Sequence, residues 1–142
     1  MIMKQCFDHF YLTDEKSEIL KRCHQVTRLL KNAYWAKDRK EETMRAAIQN
    51  SLSYGIVETG SDSLIAFARV VTDHATVYYL CDVFIAEQFR GMGLGKKLIS
   101  QILFRDEALR GLNGLLKTKD AVSFYEKFGF EECQSVCMVK NI

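Results

Sequence analysis

Asp82-Val83-Phe84-Ile85-Ala86-Glu87-Gln88-Phe89-Arg90-Gly91-Met92-Gly93-Leu94-Gly95-Lys96-Lys97-Leu98 joins the end of a strand-like run, a glycine-dense turn and the start of an apolar-periodic helix. Unpaired N–H groups at a helix start, with the helix dipole behind them, favour a bound anion. Glycines at alternate positions let the backbone approach phosphate oxygens with no Cβ in the way. Lys96 and Lys97 fall in the first helical turn, where cations are unfavourable unless a polyanion occupies that end. The bland reading of the same residues is a plain loop beside a solvated basic face. The spacing is not G-x-x-x-x-G-K-[ST], because Lys97 follows Lys96, and not G-x-G-x-x-G, because the third glycine comes one residue early. Both points weigh against a nucleotide triphosphatase and a dinucleotide fold.

Upstream of this stretch, residues 54–59, 63–71 and 76–85 are rich in β-branched and aromatic side chains and are separated by Gly60-Ser61-Asp62 and Thr72-Asp73-His74. They predict an antiparallel meander, so the preceding strand does not open a βαβ unit. Residues 6–12 read as a strand. Thr13 or Asp14 can cap a helix reaching to about Lys31, with Ile19, Leu20, Cys23, Val26, Thr27 and Leu30 at helical spacing. Residues 32–39 break that pattern, and 41–50 return to helix. Downstream, 94–107 predict a helix, 112–116 a short strand, 121–127 a short helix, and 130–139 a strand or bent strand pair. The expected fold class is α/β (α+β): a mixed, mostly antiparallel sheet flanked by helices, in the order β-α-α-β-β-β-α-β-α-β.

The 142 residues fit one domain, 1–142. At 48% apolar and 27% charged the composition is that of an ordinary globular protein, and no apolar run nears the ~20 residues of a membrane helix. The first ten residues have no signal-peptide h-region, so a cytoplasmic location is expected. A net charge of +2 is too mild to make nucleic acid the main partner. Glu87, Asp106 and Glu107 further dilute the basic run at the glycine loop. The 5 cysteines, Cys6, Cys23, Cys81, Cys133 and Cys137, form no C-x-x-C pair. In a strand Cys133 and Cys137 would stand about 13 Å apart, too far to share a metal. Reduced thiols and no metal are expected.

Arg90-Gly91-Met92-Gly93-Leu94-Gly95 matches the R/Q-x-x-G-x-G/A pyrophosphate-binding motif of the GNAT superfamily of N-acetyltransferases, and Ala121-Val122-Ser123-Phe124-Tyr125-Glu126-Lys127-Phe128-Gly129-Phe130 resembles that family's A-x-x-[FL]-Y-x-K-x-G-F segment. The two segments keep the family's order and separation, and with the meander the resemblance covers about 54–130. Tyr34-Trp35-Ala36 and the run 68–73 resemble one group of small bacterial GNAT proteins. Two positions depart from the family. Thr118 stands where many members have Asn, and the acid nearest the loop on the preceding strand is Asp82 rather than Glu.

The resemblance implies acetyl-CoA as cosubstrate and direct attack of a primary amine on the thioester, without an acyl-enzyme. It assigns cofactor contacts to Arg90, Gly91, Met92, Gly93, Leu94, Gly95 and Lys96, to the strand Val83, Phe84 and Ile85 that lies along the pantetheine arm, and to Thr118 and Tyr125. A backbone N–H near Val83 would meet the developing oxyanion. Tyr125 would protonate the leaving thiolate; its alternative is a buried aromatic anchor. Asp82 is the candidate base; its alternative is a structural acid bonded to a bulge N–H or an arginine. Tyr34, Trp35 and Arg69 are the candidate acceptor contacts, with core packing the rival for the two aromatics. His74, in a turn, reads as a surface histidine, and Cys81 lacks the partner a nucleophile needs. A non-catalytic acyl-CoA-binding module and a phosphate-gripping RNA- or nucleotide-binding domain are the rival functions. Polyamines, amino sugars, antibiotics, amino acids and protein amines are all acceptors within the family, and Glu41-Glu42 is a weak cue for a cationic one. A homodimer is a family-level expectation, with the 136–139 edge as a weak interface.

Overall fold

The computed structural model describes residues 4–142. Strands β1 (Lys4–Phe7) and β2 (Phe10–Thr13) precede helices α1 (Lys16–Lys21), α2 (Cys23–Leu30) and α3 (Glu41–Gln49). The meander follows as β3 (Leu52–Glu58), β4 (Ser63–Thr72) and β5 (Val77–Ile85). Helix α4 (Leu94–Arg105), strand β6 (Asn113–Leu116) and helix α5 (Val122–Glu126) complete it, with 3-10 turns at Glu87–Phe89 and Glu107–Leu109. The 6-stranded sheet runs in chain order, β1 to β6. Every pairing is antiparallel except β5–β6, which is parallel because α4 carries the chain across a sheet face between them.

The two sheet faces follow from strand alternation. Gly55 turns toward α1, where an added Cβ would fall 2.9 Å from Ile19 Cδ1. Its neighbour Tyr54 points the other way and donates to Asp106, at the end of α4, at 2.6 Å. Ile19 of α1, Cys23, Val26 and Leu30 of α2, and Met44 and Ile48 of α3 cover the first face, and Leu98, Ile99 and Ile102 of α4 the second; all are at most 1% exposed. Burying side chains of this size is worth roughly 1.5–3 kcal/mol each before entropy is counted.

Three expectations are corrected. The first strand is a hairpin, β1–β2, turning at Asp8 with φ 49. The first helix is two, because Arg22 leaves helical geometry (φ -104, ψ 20) while its buried guanidinium holds Glu18, Tyr11 and Asp62. The expected strand over 130–139 does not form. Residues 131–142 are exposed, with Val136 and Met138 at 88% and 90%, and nothing among the described residues pairs with them. A strand needs a ladder partner and a covered face to fix its register, and this segment has neither. The 136–139 stretch is therefore not a sheet edge.

Two irregularities of β5 shape the site. Arg69 pairs with Cys81 and Phe67 with Phe84, so β5 has one residue more than β4 over that interval. The bulge centres on Asp82, at φ 53. Beyond Leu80, paired with Leu116, β6 provides no further partner, so the two parallel strands part and residues 81–85 keep one edge open.

Where β5 and β6 still pair, Tyr78 faces Gly114, and a Cβ at 114 would lie 2.3 Å from the Tyr78 ring. Tyr78 is 8% exposed and its ring has little room to retreat. Gly114→Ala is therefore expected to destabilise by about 1–3 kcal/mol, read as a lower urea midpoint. An unchanged midpoint would mean that the ring swings aside freely.

Candidate active site

The parting of β5 and β6 opens a cleft with two compartments. The outer groove, about 800 Å³, runs along Val83, Phe84 and Ile85 to the glycine turn and is closed opposite by Phe124 and Tyr125. The inner compartment, about 180 Å³, is bounded by Tyr34, Trp35, Tyr79, Cys81, Asp82, Lys117, Thr118, Asp120 and Tyr125. Tyr34, Trp35, Val83, Asp120, Ala121 and Tyr125 belong to both. A larger hollow of about 910 Å³, beside α2, shares Asn32, Phe84, Phe89 and Arg90 with the groove but contains neither the glycine turn nor Tyr125.

The glycine turn has the geometry of an anion cradle. Gly91 and Gly93 have φ 79 and 78, a region that L side chains rarely adopt, and nothing lies within 4 Å of where their Cβ atoms would be. Gly93 is the N-cap of α4 and no side chain caps it, so the first N–H groups of the helix are left to a ligand or solvent. Gly95 serves packing instead: its Cβ would sit 3.7 Å from both Ile85 Cγ1 and Phe124 Cζ. Leu94 and Lys96 line the groove, whereas Met92 is exposed and is not part of its wall. Lys97 turns away, its Nζ 4.8 Å from the Phe7 ring centroid. Arg90 stands at the mouth, Nε donating to the Ile85 carbonyl at 3.1 Å and the guanidinium 5.0 Å from the Phe84 ring. The open backbone edge at 81–85, the side-chain-free turn and the uncapped helix start together fit an extended arm that leads into a pyrophosphate, as the pantetheine arm of coenzyme A does.

Tyr125 sits between the compartments. Its ring packs edge-on against Phe124 at 5.0 Å and Phe130 at 6.0 Å, while its hydroxyl makes no hydrogen bond among the described residues. Burial pushes the phenol up to about 12, so it is protonated at neutral pH. Thr118 accepts the Ala121 N–H at 3.0 Å, which steadies the start of α5 and leaves the Thr118 O–H free to donate.

Asp82 has the geometry of the structural acid. Its Oδ2 accepts from Arg39 Nη1 at 2.7 Å and from Arg69 Nε at 2.9 Å, and its Oδ1 from Trp35 Nε1 at 3.0 Å. The side chain is 2% exposed. Burial alone would raise its pKa, but Arg69 and Arg39 outweigh it and hold the carboxyl below the usual range. A buried carboxylate held ionised by two arginines, with both oxygens engaged, is poorly placed to collect a proton from substrate. Trp35 is thereby both a cleft wall and a clamp on Asp82, with its edge toward Phe84 and Tyr34. Burial lifts the Cys81 thiol to about 11, so at neutral pH it is no nucleophile.

Arg69 reaches this cluster from β4, but Asp73 and His74 do not. Asp73 ties its own turn by accepting the N–H groups of Ala75, Thr76 and Val77, and exposed His74 takes φ 60 in that turn. Glu41 pairs with Arg45 on an exposed helix face. Arg39, Tyr79, Lys117 and Asp120 were not legible as site residues. Arg39 reaches Asp82 from 43 positions away, and the others become neighbours only once β5 and β6 part. Among the described residues no group of three or more His, Cys, Asp or Glu is placed to hold a metal, and no helix is long and apolar enough to cross a membrane.

Comparison with known proteins agrees with this architecture. Residues 49–132 match the family model of the acetyltransferase (GNAT) domain. An uncharacterized N-acetyltransferase, ycf52, of Pyropia yezoensis is 30% identical over 129 residues, covering 87% of this chain and 71% of the relative. A crystal structure from Xanthomonas campestris pv. campestris assigned to the GNAT family superposes with a TM-score of 0.82 at 32% identity, covering 96% of each chain. The aminoglycoside N-acetyltransferase AAC(6')-Iy, solved in complex with CoA, shares the fold with a TM-score of 0.71 at 17% identity, over 96% of this chain and 97% of that one. A chain whose family-model match spans the strand meander, the glycine cradle and the Tyr125 helix belongs to the GNAT family of N-acetyltransferases.

Proposed function

We propose that this protein moves the acetyl group of acetyl-CoA onto a primary amine by direct attack, with residues 1–142 acting as one catalytic domain. The observation that carries the reading is the continuous path from the glycine cradle along the open edge of β5 to the Tyr125 hydroxyl. When bound, acetyl-CoA supplies an activated acyl group as a thioester.

The chain's own residues divide the remaining work. The N–H groups at Gly93 to Lys96 hold the pyrophosphate, and Lys96 adds charge. The backbones of Val83 and Ile85 align the pantetheine arm, and the Val83 N–H is the donor assigned to the acyl oxygen. Tyr34 and Trp35 wall the side from which the amine enters, and alignment of the two reactants is the larger part of the catalysis. Tyr125 gives its proton to the departing sulfur. Asp82 is a positioning residue, fixing Trp35 and Arg69. The amine's proton leaves through water, toward Asp120 at the cleft rim, and solvent returns a proton to Tyr125 before the next turnover.

Calorimetric titration with acetyl-CoA tests the reading. Micromolar binding is expected, weakened at least about tenfold in Gly93→Asp, which forces a side chain into φ 78 and puts a negative charge in the cradle. Absence of binding by the folded wild-type protein would overturn the proposal.

A further inference from the structure

We infer that the amine acceptor also carries an oxyanion, a carboxylate or a phosphate, which is received at Arg69 beside the inner compartment. The inference rests on the acetyltransferase reading and adds the chemical class of its second substrate.

Arg39 and Arg69 converge on one oxygen of one carboxylate, Asp82 Oδ2, while Trp35 takes the other oxygen. Both oxygens of the Asp82 carboxylate are thus engaged, yet the trio keeps one uncompensated positive charge. Arg69 gives only its Nε to Asp82, and among the described residues its two Nη nitrogens make no hydrogen bond. They form the planar donor pair that binds a carboxylate or phosphate through two parallel hydrogen bonds. Arg69 is held in place by its buried partner, and 15% of its side chain remains exposed. It stands directly opposite Cys81 in the β4–β5 ladder, beside the inner-compartment residues Cys81 and Tyr79.

The other cations around the compartment add to this charge. Lys117 lies in its wall, and Lys119 sits over the ring of the wall residue Tyr34, with Nζ 5.5 Å from the centroid. Against these four cations stand Asp82, already engaged, and Asp120. A polycationic acceptor would bring further positive charge to a partly desolvated positive site, whereas an oxyanion beside the amine neutralises the surplus. The phosphate-holding turn is a separate place: neither Arg39 nor Arg69 lines the outer groove, and both stand behind the inner compartment, bonded to its wall residue Asp82.

The test uses matched acceptors with saturating acetyl-CoA, followed by thiol release: glycine beside glycinamide, glucosamine 6-phosphate beside glucosamine, and spermidine as the polycation. In at least one pair the anionic member is expected to show kcat/KM at least about tenfold above its uncharged partner and above spermidine. The responding pair tells carboxylate from phosphate. Arg69→Met should bring the ratio toward one without changing acetyl-CoA affinity, and Arg69→Lys should restore part of it. Should Arg69→Met fail to fold, Lys117→Met, at the cleft wall, should lower the ratio a few-fold. Should no pair turn over, the same ligands are titrated into the protein loaded with CoA; binding confined to an anionic member supports the inference, and any other pattern overturns it. Equal or reversed ratios, or a preference that survives both substitutions, also overturn it while leaving the acetyltransferase reading intact. Failure of the wild-type protein to bind acetyl-CoA, read separately by calorimetry, removes both.

Discussion

Tyr125→Phe is expected to lower kcat at least about a hundredfold while leaving acetyl-CoA affinity within about twofold. The substitution keeps the ring and its edge-on contacts with Phe124 and Phe130, and deletes one hydroxyl that bonds to nothing among the described residues. No protein donor or acceptor is orphaned, so the fold should be unaffected and the loss can be read as chemistry. A phenol at about 12 is a weaker acid than an ordinary thiol near 8.5, which would make the proton transfer uphill in water. In the cleft the comparison changes, because the burial that raises the phenol also raises the departing thiol and brings the two closer. The same value fixes the pH dependence: Tyr125 keeps its proton throughout the neutral and mildly alkaline range. The wild-type rate should rise with pH as the acceptor amine deprotonates, with no fall assignable to Tyr125 in the neutral and mildly alkaline range. A full-rate Tyr125→Phe enzyme would reduce Tyr125 to ring packing, and an inactive wild type that binds acetyl-CoA would favour a sensor module.

What sequence reasoning recovered and what it lost divide along the range of the interactions. The meander was legible because each strand carries its own β-branched and aromatic run and each break its own turn residues. The cradle was legible because its three glycines and the helix behind them are contiguous, and the helix around Tyr125 because its motif is. The turn at Asp8 was missed because it has no glycine; aspartate is among the few residues that accept its φ of 49. The break at Arg22 has no local cause, since partners as distant as Asp62 hold its side chain. Residues 136–139 have strand-like composition but no partner, and composition does not supply one. Asp82 was legible as the acid on the strand before the loop, but its hydrogen-bond partners depend on a one-residue bulge and on Arg39, neither of which leaves a periodic trace. The charge surplus of the inner compartment was invisible for the same reason, because its cations come from the α2–α3 connection, β4 and the loop after β6.

Asp82→Ala is expected to destabilise the protein by about 3–5 kcal/mol, the usual cost of removing one partner from a buried ion pair. Two guanidinium groups, with side chains 24% and 15% exposed, would then face each other without the anion they share. Trp35 Nε1 would lose its acceptor as well, loosening the wall of the inner compartment. Asp82→Asn separates charge from shape, since asparagine tolerates φ 53 and keeps one acceptor oxygen; it should cost less than alanine. The pH dependence follows from the lowered pKa. Because the folded carboxyl titrates below its unfolded value of 3.8, its contribution is complete above that pH and is lost as pH falls through the folded value. The stability gap between wild type and Asp82→Asn should therefore be constant from pH 5 to 8 and close below about pH 4, measured by urea unfolding across that range. A base would behave differently: Asp82→Asn would remove an acid limb from the kcat profile at a pH where both proteins remain folded. Asp82 in its arginine clamp has no reason to produce such a limb above pH 4, and its appearance in the wild type and loss in Asp82→Asn would return the proton-accepting role to this residue.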